Sequence, residues 1–204
     1  PGWLIGGTEG GRLSDLFSRP GLVLLATLIL MVPSQAMAEQ SGLWAGLLAG
    51  DHVVLMRHAA APGMGDPDDF VLGDCSTQRN LSAAGLAQAV RIGERLRANG
   101  IGRARVYSSQ WCRCLDTARA LGLGPVQPLP ALNSFFRDFS REDMQTQATR
   151  QWIERRAPDG PLILVTHQVN ITALTGIFPA SGELVFIRLN AAGAVEPVGR
   201  IETQ

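Results

Sequence analysis

Two histidines each close an apolar, strand-like run. His58 ends Asp51-His52-Val53-Val54-Leu55-Met56-Arg57-His58, and His167 ends Pro161-Leu162-Ile163-Leu164-Val165-Thr166-His167. In a parallel α/β sheet the buried strands read as short β-branched runs, and polar groups just past their carboxyl ends line the crevice where ligands bind. Arg57 places a fixed positive charge beside His58, and Arg113 follows a further strand-like run, Arg105-Val106-Tyr107-Ser108-Ser109. Imidazoles and guanidiniums gathered at one sheet edge make an anion-seeking pocket, and the arginine fork matches the spacing of phosphate oxygens. The expected ligand is a phosphoryl group.

Four segments carry a family resemblance. Arg57-His58-Ala59 after a hydrophobic strand is similar to an Arg-His-Gly signature, with alanine in place of glycine. Leu81-Ser82-Ala83-Ala84-Gly85-Leu86-Ala87-Gln88-Ala89 is similar to a Leu-Thr-x-x-Gly-x-x-Gln-Ala helix start. Ser108-Ser109-Gln110-Trp111-Cys112-Arg113-Cys114-Leu115-Asp116-Thr117-Ala118 resembles a Ser-Ser-x-x-x-Arg-x-x-x-Thr-Ala block, and Val165-Thr166-His167 a segment with a second histidine. In this order the four resemble the histidine phosphatase, or phosphoglycerate mutase-like, superfamily.

The resemblance implies a doubly wound, mostly parallel sheet with helices on both faces, and it implies roles. Neutral His58 attacks phosphorus in line and carries a transient phosphohistidine, which splits one hard displacement into two easier ones. Arg57, Arg113 and His167 hold the equatorial oxygens, where charge on the transferring group is spread. No cofactor or metal is required. An alcohol leaving group also needs a proton donor. The superfamily often sets a glutamate after the third strand, but Leu129-Pro130-Ala131-Leu132-Asn133-Ser134-Phe135-Phe136-Arg137-Asp138 has no carboxylate at that spot. Asp138 is the first candidate, Glu142 the second, and Asp74 stands behind them. Glu142 and Asp143 also fit a plain role, complementing a helix dipole after Ser140.

Composition excludes other chemistries. All 18 basic residues are arginine. Without lysine there is no Schiff-base chemistry and no nucleotide-binding P-loop. The formal net charge of +0 argues against nonspecific nucleic-acid binding, which needs clustered basic charge. A length of 204 residues with 46% hydrophobic content suits one sizeable core.

At the N-terminus, Arg12 and Arg19 precede an apolar run from Gly21 to Val32, followed by Pro33 and Ala36-Met37-Ala38. That is the order of an export signal with a small-residue cleavage site. The run falls short of the roughly 20 residues of a bilayer span. The expected organisation is an export segment over 1–38 and a single catalytic domain over 39–204, in a periplasmic or secreted protein with no stable membrane span after processing.

Within that domain, the acidic, Gly- and Pro-rich stretch from Ala59 to Arg79 is long enough to be a lid or wall. Ser82 is the expected cap of a helix reaching Asn99, and Gly100 its stop. Further helices are expected from Trp111 to Leu121, from Ser140, as the cap, to Arg156, and from Asn170. Strands are expected near Val126, and, as antiparallel edge strands, at Glu183–Leu189 and Val195–Ile201. Gln168 and Asn170 either line the pocket or cap the last helix, and Phe135 and Phe136 read as core or pocket wall. His52, at the far end of the His58 strand, reads as structural. Cys75, Cys112 and Cys114 allow one disulfide, with Cys75 joined to one of the other two.

The sequence therefore supports an exported phosphomonoesterase acting on a phosphorylated small molecule or envelope component. Two alternatives stand beside it: a phosphohistidine or phosphoprotein phosphatase, and a non-catalytic phosphate-binding envelope protein.

Overall fold

The run Leu162-Ile163-Leu164-Val165 has no polar interruption, and all four residues are buried. A strand buried on both faces must lie inside a sheet with layers on either side. The computed structural model, which describes residues 2, 37–156 and 159–203, shows that arrangement. The strands are β1 (Val53–Arg57), β2 (Arg105–Ser108), β3 (Val126–Pro128), β4 (Leu162–Thr166), β5 (Leu184–Leu189) and β6 (Val195–Ile201). They lie in the order β3-β2-β4-β1-β5-β6. The first four run parallel, whereas β5 pairs antiparallel with both β1 and β6. β5 and β6 make the antiparallel edge expected from the C-terminal segment, with β6 outermost.

The chain divides into two compact units, Pro1–Glu39 and Gln40–Gln204. The basic and apolar stretch of the expected export signal, residues 12–36, lies outside the described residues. Among the described residues, no helix is long and apolar enough to cross a membrane.

In the second unit, residues 40–49 are helical (α1), followed by α2 (Ala83–Ala98), α3 (Cys112–Ala120), α4 (Glu142–Glu154) and α5 (Gln168–Thr175). Alternation along the strands divides the core in two. Val54, Met56, Val106, Ile163, Val165 and Phe186 point to one face with Leu43, Trp44 and Leu47 of α1, Ile92 and Leu96 of α2, and Ala118 of α3. Leu55, Tyr107, Leu164, Val185 and Ile187 point to the other, with Ile153 of α4 and Ile171 of α5.

Ser82 caps α2 by accepting from the Gly85 amide at 3.0 Å, as its position before the helix requires. Ser140 does not cap α4. Asp138 takes both its amide, at 3.2 Å, and its hydroxyl, at 2.5 Å, which winds Phe139–Arg141 into a 3-10 turn ahead of α4. A carboxylate accepts where a hydroxyl must choose between accepting and donating, so the cap moves to Asp138. His52 sits at the foot of β1 with Nδ1 3.3 Å from Leu43 O, in the structural place expected.

Two glycines of α2 let the helix close on its neighbours. A Cβ on Gly85 would fall 1.9 Å from Ala60 O, and one on Gly93 2.1 Å from Leu121 O. Both obstacles are backbone, which cannot swing aside. Gly85→Ala is expected to destabilise the fold by about 1–3 kcal/mol, the usual range for overpacking. A urea midpoint equal to that of the parent protein would contradict this packing.

Candidate active site

The site begins with a register. Arg57 pairs with Thr166, and the ladder runs one residue past the strand ends, with His58 N–H donating to Thr166 O at 3.0 Å. This sets the residue after β1 beside the residue after β4, so His58 and His167 become neighbours with ring centroids 5.6 Å apart. Ser109 N–H donates to Val165 O at 2.9 Å, which brings the end of β2 to the same edge. Arg113 stands in the first turn of α3, and His167 immediately precedes α5, so free amides and helix dipoles favour an anion there.

The motif residues hold the turn that follows His58. Thr117 Oγ1 accepts the Ala59 amide at 3.0 Å and donates to Arg113 O at 2.7 Å. Gln88 Oε1 accepts the Ala60 amide at 3.0 Å, while its Nε2 donates to Ser181 O at 2.9 Å. Gln88, Gly85 and Thr117 thus share one physical task, fixing the backbone beside His58.

Around this edge lies a cleft of about 550 Å³, lined among others by Arg57, His58, Asp66, Arg79, Arg113, Asp138 and His167. His58, Arg113 and His167 are each only 3% exposed. His58 Nδ1 lies 2.8 Å from Ala59 O. A carbonyl only accepts, so Nδ1 carries the proton and Nε2 keeps its lone pair. Arg113 Nε donates to that Nε2 at 3.3 Å. His167 is fixed in the same way: Arg113 Nη2 lies 3.4 Å from its Nδ1, and its Nε2 lies 2.8 Å from Ser109 Oγ, to which it donates.

Burial and the Arg113 charge, with smaller contributions from Arg79 and Arg57, hold His58 down to about 3, against an ordinary 6.5. His167 is lowered well below its ordinary value by burial and the same cations. Burial and Arg113 likewise lower Arg57 and Arg79. The site therefore concentrates positive potential around two neutral imidazoles. Arg57 gives Nη1 to Pro179 O at 2.9 Å, yet its buried Nε has no hydrogen-bond partner.

A stability test follows. Between pH 6.5 and about 3 the unfolded chain protonates a histidine that folded His58 leaves neutral, so stability must fall as pH drops through that window. Urea midpoints of the phosphate-free protein are expected to decline from pH 6.5 downwards, and to decline less steeply in His58→Asn. Parallel curves for the two proteins would contradict the neutral, buried His58.

Asp66 was not anticipated. Its carboxylate, 5% exposed, grips Arg113 in a fork, Oδ1 to Nη1 at 2.6 Å and Oδ2 to Nη2 at 3.2 Å. The Trp111 indole donates to it at 3.0 Å and the Arg79 amide at 3.2 Å. Burial pushes Asp66 up, but Arg113, Trp111 and the Arg79 amide outweigh it and hold the carboxyl below its usual range. Arg79 was also missed; it bonds Gly65 O at 2.7 Å and Ala61 O, and lines the cleft.

The acid candidates separate. Asp138 lines the cleft and is exposed, with Oδ1 engaged by Ser140. Glu142 lies in the first turn of α4 and does not line the cleft. Asp74 is an exposed cap for the 3-10 turn Cys75–Thr77, also away from it. Phe135 and Phe136 are cleft wall, as is Gln168, while Asn170 bonds Asn133 O at 2.9 Å. The Ala59–Arg79 stretch forms one wall. Cys75 and Cys112 form a disulfide that ties this wall to the residue before Arg113. Cys114 is a buried free thiol, pushed up to about 12 by burial against the pull of Arg113.

Residues 53–139 match the family model of the histidine phosphatase superfamily, branch 1. No curated protein matches the chain. Among solved structures, the chain is similar to the protein histidine phosphatase SixA complexed with tungstate, at TM-score 0.52 and 15% identity over 74% of this chain and 97% of that one. It is similar to a phosphoserine phosphatase variant from Entamoeba histolytica in complex with phosphoserine, at 0.54 and 14% over 75% and 98%. A mycobacterial glucosyl-3-phosphoglycerate phosphatase with inorganic phosphate aligns at 0.51 and 17% over 72% and 94%. At these identities the likenesses speak for the fold, a mostly parallel six-stranded sheet between helices with an antiparallel edge. Fold, matched model and the ordered motifs around His58 agree: residues 53–139 carry the features of the histidine phosphatase superfamily, and together they support a phosphatase.

Proposed function

We propose that the protein is an exported phosphomonoesterase that works through a phosphohistidine on His58. The observation that carries this is the unprotonated Nε2 of His58, fixed by the 2.8 Å bond from Nδ1 to Ala59 O and facing the Arg113 guanidinium. A neutral imidazole with an oriented lone pair is a nucleophile, and the guanidinium beside it binds the oxygens of the group attacked. Nε2 forms a bond to phosphorus as the ester oxygen leaves, and water then cleaves the P–N bond to return inorganic phosphate.

Arg57, Arg113 and His167 hold the equatorial oxygens in this scheme. His167 needs a proton on Nδ1 to donate. Burial and the surrounding cations oppose that proton, and a bound phosphate dianion compensates them. Asp66 aims the Arg113 fork and balances its charge.

Asp138 remains the proposed proton donor, since Asp66, the other carboxylate lining the cleft, is committed to Arg113. Asp138→Ala is expected to slow hydrolysis of alkyl phosphates by about 10²- to 10⁴-fold, with a much smaller loss on p-nitrophenyl phosphate. Equal losses on both would assign Asp138 a structural role only.

Export is supported by the Cys75–Cys112 disulfide, because such bonds persist in oxidising compartments. A periplasmic or secreted enzyme would meet phosphorylated small molecules or envelope components. The exposed, Ser140-bound state of Asp138 favours a second reading, action on phosphohistidine or another protein phosphoryl group, where the leaving group asks less of an acid. Phosphate release from p-nitrophenyl phosphate, an alkyl phosphate and a phosphohistidine peptide tests both: turnover of the first two supports the monoesterase, and turnover of the peptide with no alkyl phosphate hydrolysis supports the alternative. Binding without any turnover would leave a phosphate-binding protein.

A further inference from the structure

The cleft is far larger than a phosphoryl group, and its chemistry changes along its walls. Beside the cationic cluster stand Phe70, Trp111, Phe135 and Val169, with the Trp111 ring 5.4 Å from that of His167. Trp111 and Phe70 stack at 5.0 Å between centroids and 21° between planes, which makes a flat apolar wall. Further apolar side chains in the lining are left open to water: Met64 is 87% exposed, Phe178 68% and Phe136 40%. Exposed apolar surface grouped around a cleft marks a surface that a ligand covers.

Arginines stand among these groups. Arg137 lines the cleft and reaches Pro67 O at 2.7 Å and Asp68 at 3.2 Å. Arg141 also lines it, exposed, and its guanidinium has no hydrogen bond or ion pair among the described residues. Asp138, the carboxylate nearest in sequence, is taken up by Ser140.

Resting on the phosphomonoesterase reading, we infer that the leaving group of the substrate is an amphiphile, with an apolar body beside the phosphate and a second anionic group farther out that meets Arg141. A compact polar leaving group such as glycerol would leave Met64, Phe136 and Phe178 wet and Arg141 unmatched. An apolar body alone would bury the aromatic wall and still leave the arginine idle.

Alkylphosphonates test this apart from catalysis, because their C–P bond is not hydrolysed. Binding to the full chain is measured calorimetrically for ethylphosphonate, for octylphosphonate below its micelle concentration, and for ω-phosphonoalkanoates of 4 to 10 carbons. Octylphosphonate is expected to bind at least about tenfold tighter than ethylphosphonate, a factor reached when two of its six extra methylenes are fully buried. At one or more lengths the terminal carboxylate should add about twofold to fivefold, the scale of an exposed ion pair. Phe178→Ser should shrink the octyl-to-ethyl ratio, and Arg141→Gln should remove the carboxylate increment. Displacement of octylphosphonate by phosphatidate vesicles would support a bilayer-held amphiphile, and its absence a soluble one. Equal affinity for ethyl and octyl compounds, or a ratio untouched by Phe178→Ser, would overturn the apolar part; no gain from the carboxylate at any length would overturn the anionic part. Hydrolysis of p-nitrophenyl phosphate with no chain-length preference would sink this inference alone, and a chain-length preference without hydrolysis would sink the catalytic reading alone.

Discussion

Turnover by the His58→Ala protein is expected to fall by about 10⁴- to 10⁶-fold, the scale on which enzymes lose activity with their nucleophile. The reason lies in what remains. Arg57, Arg79, Arg113 and His167 still line the cleft, so phosphate still binds, but no lone pair faces phosphorus. The test is therefore a pair of measurements on one variant, kcat against a small aryl phosphate and the inhibition constant of inorganic phosphate. Lost turnover with phosphate affinity within an order of magnitude of the parent supports the nucleophile; retained turnover removes it.

Arg113→Ala should act on both quantities. Arg113 touches His58 Nε2 at 3.3 Å and His167 Nδ1 at 3.4 Å, so it stands where the equatorial oxygens of an attacked phosphoryl group must lie. Loss of one such donor costs about 10²- to 10³-fold in kcat, or about 2.7–4 kcal/mol. Weaker phosphate inhibition should accompany it. The substitution also leaves the buried Asp66 carboxylate without its partner. Breaking a buried pair by removing one member costs roughly 3–5 kcal/mol of stability. Arg113→Lys separates the two effects, since it keeps the charge near Asp66 but loses the planar fork that spans two oxygens. A folded Arg113→Lys protein with parental kcat and phosphate affinity would contradict the assigned role.

The sequence made the sheet edge readable because β1 and β4 are short apolar runs whose ends carry the chemistry. Once four parallel strands are ordered with β4 beside β1, His58 and His167 must meet. Motif order located α2 and α3, and the structure supplies the mechanics: Gly85 gives way to Ala60 O, while Gln88 and Thr117 hold the Ala59–Ala60 amides.

What could not be read depends on long-range contacts of residues without periodicity. Asp66 lies 47 positions before Arg113, in a stretch with several aspartates, and nothing local distinguishes it from Asp68 or Asp69. Arg79, at the end of the same stretch, turns inward only because Gly65 and Ala61 present their carbonyls. The choice of Cys112 over Cys114 as the partner of Cys75 depends on the facing of one helix turn. The cap of the segment before α4 went to Asp138 because a carboxylate satisfied both donors of Ser140.

The most direct test of the central claim is to trap the covalent intermediate. Labelled substrate mixed rapidly with the protein and quenched in alkali should leave a phosphoenzyme that is stable in base and lost in acid, as a phosphoramidate is, and peptide mapping should place the phosphoryl group on His58. Label on His167, or steady turnover with no trapped phosphoenzyme and unchanged activity in His58→Ala, would contradict the account.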